Sequence, residues 1–215
     1  MQPVFITGIG TDVGKTLAAA IVTEALRADY WKPVQAGFAS GTDAEYVRSL
    51  LSNPDSVVHD ELYRLHTPAS PHIAARKDGI SIDPALIAEQ AAALQRLAGP
   101  RPLVIEGAGG LLVPLNGTAM VADLISPLHA KTILVSRNYL GSINHSLLTA
   151  AYCRALGLDV AGWIFNDDYL SYEEEIVHWS GYPSLGSIPK LEIISQTTVA
   201  THAARLRDVL IEKLL

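Results

Sequence analysis

The sequence predicts an α/β fold: a mainly parallel sheet with helices on both faces. Three observations predict it. Short apolar runs alternate with helix-compatible segments along nearly all 215 residues, as in strands buried on both sides. The residues with chemical potential fall just after those runs, where parallel sheets bind ligands. The first run, residues 4–7, feeds a glycine-containing loop that ends in Gly14, Lys15 and Thr16. Together these make the fold P-loop NTPase-like.

Taken in order, residues 4–7 form a first strand and 16–27 a helix, with Leu17, Ile21 and Leu26 as apolar positions. Residues 30–34 form a second short strand. Residues 43–51 read as a helix with Tyr46, Val47, Leu50 and Leu51 on one side. The stretch 52–80 carries Pro54, Pro68 and Pro71 and reads as loop with one short strand at most. Asp83 as N-cap and Pro84 in the first turn open a helix to about Leu97. Residues 103–105 form a strand that runs into Glu106, Gly107, Ala108, Gly109 and Gly110. Residues 132–135 form another, then a helix covers 142–156. Strands over 160–165 and 185–188 and a helix over 199–214 complete the chain. No repeat, low-complexity tract or linker divides it, so one domain over residues 1–215 is expected.

Composition narrows the function. Hydrophobic residues make up 49% and charged residues 18%, an ordinary globular balance. The net charge of −6, with basic residues spread singly, argues against nucleic acid as a partner. Glu173, Glu174 and Glu175 read as a solvated helix face. Cys153 is the one cysteine, so no intrachain disulfide and no cysteine metal site exist. The phosphate loop starts too early for a signal peptide, and the apolar runs are too short to span a membrane. A cytoplasmic protein is expected.

The loop after the first strand suits a polyphosphate. Its backbone N–H groups would curl around phosphate oxygens, and the helix start adds positive potential. Lys15 would neutralise terminal phosphates and the Thr16 hydroxyl would hold Mg2+. The pattern departs from G-x-x-x-x-G-K-[ST], because Ile9 stands at the first glycine position, flanked by Gly8 and Gly10. Lys32 leaves the second strand toward the same edge, or is a surface lysine. Asp43, in Gly41-Thr42-Asp43-Ala44, and Glu106, directly after an apolar strand, can reach Mg2+ with Thr16. Otherwise Asp43 is a helix cap and Glu106 a surface acid at a turn. Glu106 is the stronger of the two, since Gly107, Gly109 and Gly110 permit close backbone approach. Leu140, Gly141, Ser142 and Ile143 lie at a helix start, where Ser142 would cap and free N–H groups could bind a carboxylate. Asn166 can pair with both the donor and the acceptor on adenine's edge. A lysine expected after it for guanine is replaced by Asp167, which favours ATP over GTP.

These motifs together resemble one family, the dethiobiotin synthetases, ATP-dependent ligases of biotin biosynthesis. The resemblance runs through nearly the whole chain. It rests on Thr7-Gly8 through Gly14-Lys15-Thr16, on Lys32-Pro33-Val34, on the segments Ser70-Pro71-His72-Ile73-Ala74-Ala75 and Glu106-Gly107-Ala108-Gly109-Gly110, on Leu140-Gly141-Ser142-Ile143-Asn144-His145, on Gly162-Trp163 leading to Asn166, and on Gly186-Ser187-Ile188-Pro189. It implies a reaction in which 7,8-diaminopelargonic acid captures carbon dioxide as a carbamate. The carbamate attacks the γ-phosphate of ATP, and ring closure gives dethiobiotin, ADP and phosphate.

The resemblance also implies roles. Lys32 and Lys15 are catalytic, and Thr16, Asp43 and Glu106 hold Mg2+. Asp12, Val13, Gly14, Leu17, Gly107, Ala108 and Gly109 border the nucleotide. Asn166 and Asp167, with Pro189, Lys190 and Leu191, form the base or ribose pocket. Thr11, Lys32 and Ala36 meet the substrate. The family is a homodimer, so Leu140, Gly141, Ser142 and Ile143 from the partner would hold the substrate carboxylate, with Tyr172 matching a family tyrosine there. Two departures stand out. Ala36 replaces a Ser or Thr, whose hydroxyl Ser40 or Thr42 would have to supply, and the loop from Gly37 to Asp43 is short. A partition-type switch ATPase would carry a lysine where Gly10 stands, and a corrinoid-amidating ligase would need an added domain. A silent relative would not keep Lys15, Thr16, Lys32 and Glu106 together.

Overall fold

The computed structural model describes residues 1–215. In chain order the elements are β1 (Val4–Gly8), α1 (Lys15–Leu26), β2 (Asp29–Trp31), β3 (Val34–Ala36), α2 (Asp43–Leu50), β4 (Tyr63–Leu65), α3 (Pro71–Lys77), α4 (Pro84–Ala98), β5 (Leu103–Gly110), β6 (Lys131–Arg137), α5 (Ser142–Ala155), β7 (Val160–Asn166), α6 (Glu173–Ser180), β8 (Ser184–Ile188) and α7 (Gln196–Leu214). Six strands form one sheet in the order β2-β5-β1-β6-β7-β8, with every pairing parallel. Strand alternation divides the core between its faces. Val4 and Ile6 pack with α1 and α7, while Phe5 packs with α4 and α5. The parallel sheet with helices on both faces is therefore present. No helix is long and apolar enough to cross a membrane.

Three expectations need correction. Residues 30–34 are not one strand: β2 ends at Trp31, and β3 pairs with β4 in a separate two-stranded sheet. Pro33 has no N–H to continue a ladder, so Lys32 and Pro33 mark the crossing between sheets. Residues 52–80 hold a helix, α3, besides the short strand β4; Pro71 sits in its first turn, where a missing N–H costs nothing. The strand at 103–105 runs on through the glycines to Gly110, because Gly8 pairs with Gly110. A Cβ on Gly110 would meet the Gly8 carbonyl oxygen at 3.1 Å, tighter than most side chains sit against backbone, so glycine suits this close approach. The acidic run of Glu173, Glu174 and Glu175 opens α6, where negative charge suits the helix dipole.

Candidate nucleotide and cation site

The phosphate loop is built by local backbone demands. Gly14 precedes α1 with φ +91°, a left-handed conformation that side chains disfavour. A Cβ there would also lie 2.2 Å from Asn166 Nδ2. Asn166 closes on the loop in turn, donating to the Val13 carbonyl at 3.2 Å. Asp12 takes φ +57°, one of few non-glycine residues to do so, and such strain gathers at functional loops. Lys15 is the first residue of α1, one earlier than the sequence suggests, and its Nζ folds back to donate to the Gly10 carbonyl at 2.7 Å.

Five residues from four segments converge beside this loop. Glu106, only 1% exposed, is a buried strand residue and not a surface acid. Its Oε1 accepts from Thr16 Oγ1 at 3.0 Å and from Lys32 Nζ at 3.0 Å. Its Oε2 accepts from the Tyr30 hydroxyl at 2.8 Å. Lys32 also pairs with Asp43, so one ammonium bridges two carboxylates. Asp43 does not cap its helix. Thr42 does, in a capping box with Glu45, which frees the Asp43 carboxylate to face Lys32.

Burial and charge set opposite tendencies on the two lysines. Burial lowers the Lys15 pKa to about 8, although Glu106 and Asp43 pull it upward. Burial also pushes Lys32 down, but Glu106 and Asp43 outweigh it and hold Lys32 above the ordinary lysine range. The oxygens of Thr16, Asp43 and Glu106 form a hard donor set of the kind Mg2+ takes. Thr16 directs its hydroxyl hydrogen onto Glu106, which leaves that oxygen's lone pairs for a cation. The residues fit such an ion.

A cavity of about 860 Å3 opens over this cluster. Thr11, Asp12, Gly14, Lys15, Thr16 and Leu17 line it from the loop and α1; Lys32, Ala36, Asp43, Glu106, Ala108 and Gly109 line it from the ends of β2 and β3, the start of α2 and β5; Asn166, Asp167, Lys190 and Leu191 line it from the end of β7 and the segments that follow β7 and β8. Val13 and Gly107 do not line it: Val13 is buried, and Gly107 packs against the Phe5 ring. Pro189 is exposed beside it.

Leu140, Gly141, Ser142, Ile143 and Tyr172 do not line the cavity of their own chain either. Ser142 is not a cap. Gly141 occupies that position with φ +105°, and buried Ser142 turns its hydroxyl back to accept from the Tyr139 N–H at 3.4 Å. Tyr172 packs edge-on against Tyr169 at the start of α6. The hydroxyl missing at Ala36 comes from neither expected source, because Ser40 and Thr42 do not line the cavity and Thr42 caps α2.

The sequence reading overlooked several lining residues. Gln35 pins the short loop, donating to the Gly37 carbonyl at 2.9 Å and accepting from the Asp43 N–H at 3.3 Å. Ser70 brings a hydroxyl to the wall from the segment before α3. Arg137 ends β6 and pairs with Asp167 at 3.4 Å. The signal for Arg137 was its place at a strand end, the same signal that singled out Glu106.

Comparison with known proteins agrees with this architecture. A family model described as an AAA domain matches residues 2–198. The ATP-dependent dethiobiotin synthetase BioD of Cytophaga hutchinsonii is 46% identical over 209 residues, covering 97% of this chain and 98% of that one. The protein of the same name from Christiangramia forsetii is 45% identical over 209 residues, covering 97% of each. Among solved structures, a ParA family ATPase from Chlorobium tepidum superposes with a TM-score of 0.59 at 15% identity, over 98% of this chain and 96% of that chain. The Pyrococcus furiosus cell division ATPase MinD gives 0.60 at 13% identity, over 99% of both. These two likenesses establish a shared P-loop fold. The sequence relatives go further: with more than two-fifths of residues identical along nearly the full length of both chains, this chain belongs to the ATP-dependent dethiobiotin synthetase family.

Proposed function

We propose that residues 1–215 form a single-domain ligase that uses ATP to join carbon dioxide to 7,8-diaminopelargonic acid and close the ring of dethiobiotin. One observation carries this reading: the Lys32 ammonium sits between Asp43 and Glu106 beside the phosphate loop, with Lys15 near the same acids. One amine of the substrate attacks carbon dioxide and forms a carbamate. A carbamate oxygen attacks the γ-phosphorus, and ADP leaves. The second amine then attacks the carbamate carbon, and phosphate leaves with that oxygen. Carbamate and triphosphate are both anionic, so the attack needs fixed positive charge where negative charge gathers. Lys32 supplies it at the carbamate and the moving phosphoryl group, and Lys15 at the terminal phosphates. Thr16, Asp43 and Glu106 would hold Mg2+, which when bound neutralises phosphate charge.

Other residues take positioning roles. Asp12, Gly14, Leu17, Ala108 and Gly109 border the phosphate channel, with Val13 and Gly107 behind it as backing for the loop and strand. Asn166 and Asp167, with Pro189, Lys190 and Leu191, take the base and ribose. Thr11 and Ala36 border the diamine. The carboxylate tail is held at the start of α5 of a partner subunit, by Leu140 to Ile143 with Tyr172 nearby. Supporting this, Leu140 is 81% exposed, and no side chain caps the helix it precedes. A monomer by sedimentation at assay concentrations would remove the partner from this account.

The reaction is tested by incubating the protein with the diamine, bicarbonate, Mg2+ and either ATP or GTP. Dethiobiotin by mass, formed faster with ATP, is the expected outcome. ATP hydrolysis that proceeds equally without the diamine would favour a switch ATPase of the partition type.

A further inference from the structure

We propose that Tyr30 is a positioning residue for the cation site: its hydroxyl ties down Glu106 Oε2, which turns Oε1 toward Thr16 and Lys32 and holds it there for the divalent ion. This rests on the assignment of Glu106 to Mg2+ above.

Strand register produces the contact. Tyr30 pairs with Val104 across the parallel ladder. Residues two apart on a strand share a face, so Glu106 follows Val104 on the side that Tyr30 occupies. Lys32 follows Tyr30 in the same way, just past the end of β2. The three side chains thus lie on the face covered by α1, whose second residue is Thr16. Tyr30 has no exposed surface, and its phenol is long enough to reach one strand step forward.

The carboxylate of Glu106 then has two distinct ends. Oε1 accepts from two groups of the candidate cation and phosphate site, at 3.0 Å each. Oε2 accepts only from Tyr30, at 2.8 Å. A half-turn of the carboxylate only exchanges two equivalent oxygens, but tilting its plane partway would draw the oxygen off the Tyr30 hydroxyl and leave a buried phenol facing no acceptor. Hydrogen bonds to a ligating carboxylate fix its orientation in this manner, and their loss typically weakens metal binding by about 10–100-fold. A phenol that merely fills the core predicts a different outcome, a change in stability with no change in cation binding.

The two are separated by binding of a non-hydrolysable ATP analogue to wild type and Tyr30→Phe, titrated with Mg2+ and repeated in EDTA. Tyr30→Phe removes one oxygen and keeps the ring. The Mg2+ concentration for half-maximal enhancement of binding should rise about tenfold or more, while affinity in EDTA stays at the wild-type value. In a Glu106→Gln background the same change should add little, because the two side chains act through one contact. An unchanged Mg2+ midpoint, or affinity lost equally in EDTA through a damaged fold, would overturn the proposal. Wild-type binding that ignores Mg2+ altogether would instead overturn the cation assignment, and this proposal with it.

Discussion

Lys32→Gln should lower turnover by roughly 10²–10³-fold or more, about 3–4 kcal/mol of transition-state stabilisation, while ATP affinity changes little. The side chain is buried and touches two acids, so its position is set before any ligand arrives. A charge held in a buried site acts on the transition state without reorganising, which is why such donors carry large effects. Glutamine removes the charge, is one atom shorter and keeps hydrogen-bonding capacity. It leaves Asp43 and Glu106 without the cation between them, so a thermal melt of the variant is compared with its turnover to separate lost charge from lost fold. Steady-state kinetics with saturating ATP and diamine read the effect directly. Turnover within about threefold of wild type would be far below the loss of such a donor and would remove Lys32 from the mechanism.

Lys15→Gln should produce a loss of similar size, roughly 10²–10³-fold, with a signature of its own in pH. Burial lowers the Lys15 pKa to about 8. Below that value the free protein carries the ammonium that meets phosphate. Above it the amine is neutral and the attraction is gone. The kcat/KM for ATP should therefore fall as pH rises through about 8, approaching tenfold per pH unit for one proton. Lys15→Gln should lack that limb because it has no proton to lose. Lys32, held above the ordinary lysine range by Glu106 and Asp43 after burial is offset, contributes nothing there. A wild-type profile flat to pH 10 on this limb would contradict the Lys15 assignment.

Much of this arrangement is legible in the sequence, for identifiable reasons. The segment from β1 into α1 is a local structure: apolar strand, glycine turn and helix follow one another within 26 residues. The central strands announce themselves because burial on both faces demands continuous apolar runs. The full length of β5 does not, because its glycines look like loop until Gly8 lies beside Gly110. Helix α3 hides behind prolines that read as breakers, although Pro71 stands where a helix accepts one. The site shows the same division. Lys15 and Thr16 are marked by the glycine loop before them, Lys32 by the short strand it leaves, and Glu106 by an apolar run that leads into glycines. Tyr30 reads as core from its apolar strand, since nothing local indicates that its hydroxyl meets a residue 76 positions away. Ser142 illustrates a local rule overridden: it has good capping chemistry, but Gly141 tolerates the left-handed turn and takes the capping position.

The central claim is that fixed cations beside the phosphate loop let one anion, a carbamate, attack another. Oxygen labelling tests it most directly. With carbon dioxide labelled in 18O and quenched before exchange with water, the phosphate released should carry one labelled oxygen, passed from the carbamate through the anhydride. Phosphate that carries none, but takes label from 18O-water instead, would mean that ATP is simply hydrolysed and that no carbamate oxygen reaches phosphorus.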